Sequence, residues 1–190
     1  MNREGVKSWL DKHKIDNYTI NEDLSVDVNG DVSLFSYGLF AIPVKFGTVS
    51  GYFHCSKNKF TTLEGCPTKV GGNFYCHDNW LTSLDGGPVE IGGDFHCDNN
   101  RLVSLVGGPE MVGGDFSCHD NKMTTLEGCP IIDVSNIFLF KNNSLKEDEL
   151  FLYDCNYEQI RLYYNGKRLN EKLLDGISEE VVVGIKKCKI

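Results

Sequence analysis

Apolar and polar residues recur along the middle of the chain with a period of 21 residues. Each unit begins with Phe, has Cys two residues later and Asn three residues after the Cys, and continues with Leu, Gly and Pro. The first three units close with a Gly-Gly pair. Repetition at a fixed spacing is typical of a solenoid, in which each unit buries its apolar side against its neighbours. The three leading columns are Phe53, Phe74, Phe95, Phe116; Cys55, Cys76, Cys97, Cys118; and Asn58, Asn79, Asn100, Asn121.

The start of each unit has the alternation of a short β-strand. Phe74 and Cys76 alternate with Tyr75 and His77, so one side chain set points inward and the other outward. A unit of 21 residues is too short for a strand, two chain reversals and a full helix. We therefore predict a mainly β repeat solenoid with one strand per turn and an irregular or 3₁₀ return.

The first 29 residues are predicted to form an N-terminal cap. Val6, Trp9 and Leu10 fall on one face of a helix over residues 4–14, and strands follow over 18–20 and 24–28. Covering the end of a solenoid protects its terminal strand from pairing with another chain. Val32 and Leu34 fall one period before the regular columns, which predicts a degenerate first repeat.

The solenoid is predicted to span residues 30–143, with a last strand over 136–142 that keeps apolar positions at Ile137 and Leu139. Beyond it the period is lost, and we predict a small C-terminal cap over 144–190. Ser144 can cap a short helix there. Near Asn165 and Gly166 a hairpin and a helix fit the sequence equally well.

The repeat frame resembles that of leucine-rich repeats, with Phe and Cys in the first two apolar positions: Phe74-x-Cys76-x-x-Asn79-x-Leu81-x-x-Leu84. In that family the Asn column bonds backbone groups between turns and the strands line a concave binding face, which the resemblance implies here. Two longer segments of the repeat are similar to uncharacterised repeat proteins common in tailed-phage genomes: Thr62-Leu63-Glu64-Gly65-Cys66-Pro67 and Ile91-Gly92-Gly93-Asp94-Phe95. That resemblance implies a phage origin.

Charge and composition narrow the classes of partner. The 190 residues are 41% hydrophobic and carry a formal net charge of −8. An acidic balance without a basic stripe argues against general binding of nucleic acids or anionic membranes and leaves open a basic protein partner. The chain shows neither a leader at Met1 nor an apolar run of 18 residues, so we expect a cytoplasmic protein, in the host cytoplasm if phage-encoded.

Four of the eight cysteines lie in the inward column, where small apolar side chains are needed. Four of the five histidines fall on outward positions of the same strands. Strand alternation sends each Cys inward and its neighbouring His outward, which argues against a Cys-His nucleophile pair.

The outward histidines and their neighbours predict a polar recognition face. Imidazoles and carboxylates can also bind Zn²⁺, but a ladder spreads its ligands along an axis, so we predict no metal, no cofactor and no catalytic residue. Phe138 and Phe140 point outward in the strand frame and add aromatic anchors. The predicted partner-binding residues are Tyr52, His54, Asn73, Tyr75, His77, Asp78, Trp80, Asp94, His96, Asp98, Arg101, Asp115, His119, Asp120, Phe138 and Phe140.

These features favour a non-enzymatic module that binds a protein partner through its concave face. With the phage resemblance, the expected partner is a host protein, and the module would be an inhibitor of a host defence protein. One alternative is a sponge for a nucleotide-like small molecule, held by Tyr75, His96, Arg101 and their neighbours. A second alternative is a metal-dependent enzyme that uses the histidine and aspartate face.

Overall fold

The computed structural model describes residues 1–125, 127–132, 137–139, 161–164 and 167–168. The chain forms a β-solenoid of about four turns with one short helix in its described part, which confirms the predicted fold class. The elements are α1 Arg3–Lys12, β1 Tyr18–Ile20, β2 Val26–Val28, β3 Val32–Ser33, β4 Phe46–Val49, β5 Phe53–His54, β6 Lys69–Val70, β7 Phe74–Tyr75, β8 Glu90–Ile91, β9 Phe95–His96, β10 Met111–Val112, β11 Phe116–Ser117, β12 Ile131–Ile132, β13 Ile137–Leu139, β14 Arg161–Tyr164 and β15 Lys167–Arg168.

Each regular turn contributes a strand to two different sheets. The valine sheet has the order β1-β2-β4-β6-β8-β10-β12, and the phenylalanine sheet has the order β15-β14-β13-β11-β9-β7-β5-β3. Neighbouring turns pair in parallel and in 21-residue register, as Phe74 does with Phe95 and Val70 with Ile91. The prediction of one strand per turn thus missed the second strand, whose single inward apolar position is followed by Gly-Gly and so shows no alternation in the sequence. The rest of each turn is irregular, as predicted.

A stack of phenylalanine rings fills the centre of the solenoid. The ring centroids of Phe53 and Phe74 lie 5.8 Å apart, those of Phe74 and Phe95 5.9 Å, and those of Phe95 and Phe116 5.0 Å. All four rings are fully buried, and the cysteine column beside them is buried as well. Stacked turns therefore share one continuous apolar core that no single turn could form.

The asparagine column satisfies backbone groups inside each irregular turn. The Asn79 side-chain amide donates to the carbonyls of Cys55 and Cys76, both at 3.1 Å, and its Oδ1 accepts from the Phe60 backbone N–H at 3.1 Å. The side-chain amides of Asn58, Asn100 and Asn121 likewise each donate to a carbonyl of the preceding turn. The implied bonding between turns is confirmed, and it explains why a polar residue recurs at a buried position.

The Gly-Gly pairs let successive turns approach closely where the chain passes from one sheet to the other. The Gly92 backbone N–H donates to Val70 O at 2.9 Å, and that of Gly93 donates to Gly72 O at 3.0 Å. A Cβ atom at Gly92 would collide with the carbonyl oxygen of Gly71 in the preceding turn. The glycines are therefore required by sterics at this position.

Helix α1 and the hairpin β1-β2 cover the first end of the core, as predicted. Asn2 caps the helix by accepting from the Gly5 backbone N–H, while Val6 and Leu10 are buried against the solenoid. The Trp9 ring lies 6.3 Å from that of Phe46, next to Phe53 in the phenylalanine stack. Strand β3 pairs in register with β5, which confirms the degenerate first turn.

The far end of the chain is described only in part. Strand β13 continues the parallel register from β11, and β14 and β15 pair antiparallel beyond it. The helix predicted after Ser144 and most of the predicted C-terminal cap lie outside the described residues.

Candidate functional site

The outer face of the phenylalanine sheet carries two adjacent columns of polar side chains. The first column consists of His54, Tyr75 and His96, which follow the inward phenylalanines. The second consists of Ser56, His77, Asp98 and His119, which follow the inward cysteines. Neighbours within a column belong to adjacent turns and stand about 5 Å apart, so the predicted histidines do share one surface. We call these seven residues the histidine face.

Ring contacts join the members of this face both along and across its columns. The ring centroids of His54 and Tyr75 are 5.0 Å apart, and those of Tyr75 and His96 are 5.2 Å apart. Across the columns, His77 lies 5.9 Å from His54 and 6.3 Å from His96. These rings support one another and are half-buried, so the surface is ordered before any partner arrives, which lowers the entropy cost of binding.

Asp98 is the charged centre of the face. Its carboxylate oxygens lie 3.7 Å from His96 Nδ1 and 3.7 Å from His119 Nε2. Burial by itself raises the pKa of Asp98, but the neighbouring His96, His119 and His77 side chains outweigh it and lower that pKa below its ordinary value. The carboxylate is therefore ionised at neutral pH and fixes one negative charge between two imidazoles.

The other two imidazoles are held in the neutral form. Burial, with a smaller contribution from His77, lowers the pKa of His54. Burial also lowers the pKa of His77 and outweighs the opposing effect of Asp98 and Asp78. A neutral imidazole can both donate and accept a hydrogen bond. His77 Nδ1 lies 3.0 Å from Ser56 Oγ. His54 Nε2 is buried and has no hydrogen-bond partner among the described residues.

Four of the predicted site residues immediately precede the strands, and the side chains of two of them also link adjacent turns. Asn73 Oδ1 accepts from the Asp94 backbone N–H at 2.9 Å, and Asp94 Oδ1 accepts from that of Asp115 at 2.9 Å. The Asn73 amide also donates to Tyr75 Oη at 2.6 Å. This column links adjacent turns beside the histidine face, and Tyr52 lies exposed at its first end.

Two further predicted residues, Asp78 and Asp120, occupy the turn that ends each strand. Their φ angles are 54° and 51°, a left-handed conformation that Asp and Asn tolerate better than most residues. Asp120 Oδ2 lies 2.8 Å from His119 Nδ1, and Asp78 accepts a hydrogen bond from the Asn99 amide. These carboxylates form an acidic border along one side of the histidine face.

Trp80 and Arg101 belong to a different column, one position after the buried asparagines. The Arg101 guanidinium lies 5.3 Å from the centroid of the Trp80 ring. The same column contains Lys59 before them and Lys122 after them, and Lys59 Nζ lies 4.8 Å from the exposed Phe40 ring. The sequence predicted Trp80 and Arg101 as site residues, but Lys59, Lys122 and Phe40 were not predicted, and no basic stripe was recognised. The column Lys59, Trp80, Arg101, Lys122 was nevertheless readable at the 21-residue spacing.

The last two predicted residues fall at the limit of the described chain. Phe138 lies in strand β13, which extends the phenylalanine sheet beyond β11, but its side chain is outside the described part. Phe140 lies outside the described residues.

The described side chains of this site offer polar and aromatic contacts. Within the described ranges, no group of three or more His, Cys, Asp or Glu side chains converges to hold a metal ion. The cysteine thiols lie on the opposite side of the strands, and burial raises the pKa of Cys76, Cys97 and Cys118 well above its ordinary value. Protonated, buried thiols are poor nucleophiles, so these three thiols are poor targets for activation by the histidines.

Comparisons with protein-family models, with curated proteins and with solved structures give no match to this chain. The structure shows a β-solenoid, and the resemblances to leucine-rich repeats and to tailed-phage proteins rest on the sequence motifs alone. In the described part of the chain, no helix has the length and apolar character needed to cross a lipid bilayer.

Proposed function

We propose that this protein is a non-enzymatic binding module whose histidine face engages a protein partner. The observation that carries the proposal is the pre-ordered ladder of His54, Tyr75 and His96 beside His77 and Asp98. Aromatic rings with polar edges supply contact area at a small cost in side-chain entropy. The ladder also offers donors and acceptors at regular intervals along one flat surface.

The contrast with the remaining surface supports this choice of face. The outward residues of the valine sheet include Lys69 and Glu90, which form an exposed ion pair at 2.8 Å. The opposite charges of such an exposed pair neutralise each other, so the pair contributes little to recognition. The histidine face instead has half-buried rings, whose exposed edges a partner can contact.

The motif resemblances give the proposal a finer form. A leucine-rich-repeat-like solenoid would present the histidine face on its concave side, and an origin in a tailed phage would make the partner a host protein. In that form the protein acts in the host cytoplasm by sequestering or blocking its target, such as a component of host defence.

The test is capture of a partner from a bacterial lysate by three immobilised proteins. The first is the unmodified chain, and the second carries His54→Ala, Tyr75→Ala, His96→Ala and His119→Ala. The third is a matched control with Lys69→Ala, Glu90→Ala and Met111→Ala on the outer face of the valine sheet, where all three residues are exposed. Circular dichroism and melting curves establish that all three proteins are folded.

A partner retained by the unmodified chain and by the control, and lost by the histidine-face variant, supports the proposal. Capture of the same partner by all three proteins contradicts it. If none captures a protein while nucleotides raise the melting temperature, the binding-module proposal is replaced by the small-molecule sponge.

A further inference from the structure

We infer that the column formed by Lys59, Trp80, Arg101 and Lys122, together with Phe40, is a second recognition site that takes an acidic, extended peptide segment. We call it the basic stripe. It lies on the turns that follow the phenylalanine sheet, one position beyond the buried asparagine column. The inference deepens the proposed function, because it gives the chemistry of one segment of the protein partner.

The backbone aligns these side chains along the axis of the solenoid. Each column member donates its backbone N–H to the preceding turn: Lys59 to Leu39 O at 2.8 Å, and Lys122 to Leu102 O at 2.9 Å. Trp80 and Arg101 make the equivalent bonds at 2.9 and 2.8 Å. With a rise of about 4.8 Å per turn, the column spans about 14 Å from Lys59 to Lys122. An extended peptide covers that distance with about four to five residues.

The cations of the stripe are not neutralised by acidic neighbours. In the part of the chain that the structure describes, Lys7, Lys45 and Lys69 each have a carboxylate within 4.0 Å. No described carboxylate is that close to Lys59, Arg101 or Lys122; Lys59 and Arg101 instead lie over aromatic rings. A protein with net charge −8 thus aligns three cations that have no carboxylate partner among the described residues.

Exposed aromatic rings lie within the same line. Phe40 is 66% exposed and Trp80 39% exposed, with ring centroids 6.4 Å apart in an edge-to-face arrangement. Unpaired cations beside exposed aromatic rings fit a ligand that combines negative charge with an apolar side chain. An acidic peptide with one aliphatic or aromatic residue has both.

Charge on the flanking columns favours a peptide over a single-stranded nucleic acid. The flanking column consists of Lys57, Asp78, Asn99 and Asp120, so two carboxylates border the stripe beside Trp80 and Lys122. A polynucleotide carries a negative charge at every residue and would meet these carboxylates as well as the cations. A polypeptide can place acidic residues opposite the cations and neutral residues opposite the aspartates.

The experiment titrates the full chain with acetyl-Glu-Glu-Leu-Glu-Glu-amide and follows tryptophan emission. The chain has two tryptophans, and a Trp80→Phe variant assigns the signal, because Trp9 is packed in the N-terminal cap. A Lys59→Gln, Arg101→Gln, Lys122→Gln variant removes the stripe. A Lys7→Gln, Lys45→Gln, Lys69→Gln variant has the same net charge and is the matched control. The uncharged peptide acetyl-Gln-Gln-Leu-Gln-Gln-amide and the oligonucleotide (dT)8 are titrated in parallel.

We expect saturable quenching by the acidic peptide that disappears in Trp80→Phe. The stripe variant should bind about tenfold or more weakly, whereas the control should change by less than about threefold. Equal weakening in both triple variants, no saturation with the acidic peptide, or tighter binding of (dT)8 would overturn the inference. Partner capture by the histidine face is measured without this peptide, so either proposal can fail while the other stands.

Discussion

The two sheets of this solenoid are built from the same repeat, yet their outer faces differ. On the valine sheet the outward residues Lys69 and Glu90 form an exposed ion pair, and the exposed Met111 follows them. On the phenylalanine sheet the outward residues His54, Tyr75 and their neighbours form a network of rings around Asp98. The inward side chains of both sheets are buried in the same core. The scaffold therefore requires apolar inward residues, whereas the outward residues can vary and are available for recognition.

The largest expected effect is common to both sheets, because both bury their inward side chains completely. Phe95→Ala should lower the free energy of unfolding by about 3–5 kcal/mol, since it removes a ring stacked between Phe74 and Phe116. Ile91→Ala on the valine sheet should lower it by about 2–5 kcal/mol. Urea unfolding followed by circular dichroism measures both. A loss below about 1 kcal/mol at either position would contradict the assigned inward register.

The next effect concerns the irregular turn between the sheets. Asn79→Ala removes the acceptor of the Phe60 N–H and the donor to Cys55 O and Cys76 O. A buried group left without a partner costs about 1–3 kcal/mol, so the urea midpoint should fall accordingly. Thr82→Ala, at an exposed position in the same turn, is the control and should leave the midpoint nearly unchanged. Equal effects of the two substitutions would exclude a structural role for the asparagine column.

Acid should distinguish the two outer faces. The pKa values of His54 and His77 are lower in the folded chain than in the unfolded chain. At a pH between the two values, the unfolded chain therefore binds more protons than the folded chain. Stability should therefore be fully present above about pH 6.5 and fall as the pH drops below it.

Thermal unfolding between pH 7.5 and 5 measures this dependence. His54→Gln with His77→Gln should flatten it, whereas Lys69→Gln on the valine sheet should not. An unchanged slope in the double histidine variant would show that these two imidazoles titrate normally.

The smallest effect on stability is expected for outward residues, and here the two faces should differ in binding. His96→Ala and Glu90→Ala should each change the free energy of unfolding by about 1 kcal/mol or less, because both side chains reach solvent. Only His96→Ala should weaken binding to a captured partner. The contrary pattern, unfolding by His96→Ala with Phe95→Ala tolerated, would mean a strand register wrong by one residue.

The repeat made much of the fold predictable from the sequence. Phe74 and Cys76 recur with their columns often enough to set the period, the inward face and the parallel register. The second sheet was missed because each of its regular strands, such as Lys69–Val70, has one inward apolar position followed by Gly-Gly, whereas the Phe-x-Cys pattern of the other sheet shows an alternation. The Gly-Gly pairs beside them are visible in the sequence, but their cause, the close approach of stacked backbones, is visible only in the structure.

The site was predictable to a lesser extent. Alternation assigned His54, Tyr75 and His96 to one outward column, but the position of Asp98 between two imidazoles depends on side-chain geometry that a sequence does not contain. The basic stripe was overlooked because acidic residues lie between its cations along the chain, so a charge count over consecutive residues does not show a basic region. The alignment of the cations becomes visible when residues 21 positions apart are compared, which are neighbours in the stacked turns.

The most direct test of the central claim is site-specific photo-crosslinking in bacterial cells. The photoreactive residue p-benzoylphenylalanine is placed either at position 75, on the histidine face, or at position 90, on the outer face of the valine sheet. A binding module that uses the histidine face should give a discrete crosslinked partner from position 75 and none from position 90. The same partner crosslinked from position 90 alone, or equally from both positions, would contradict the account.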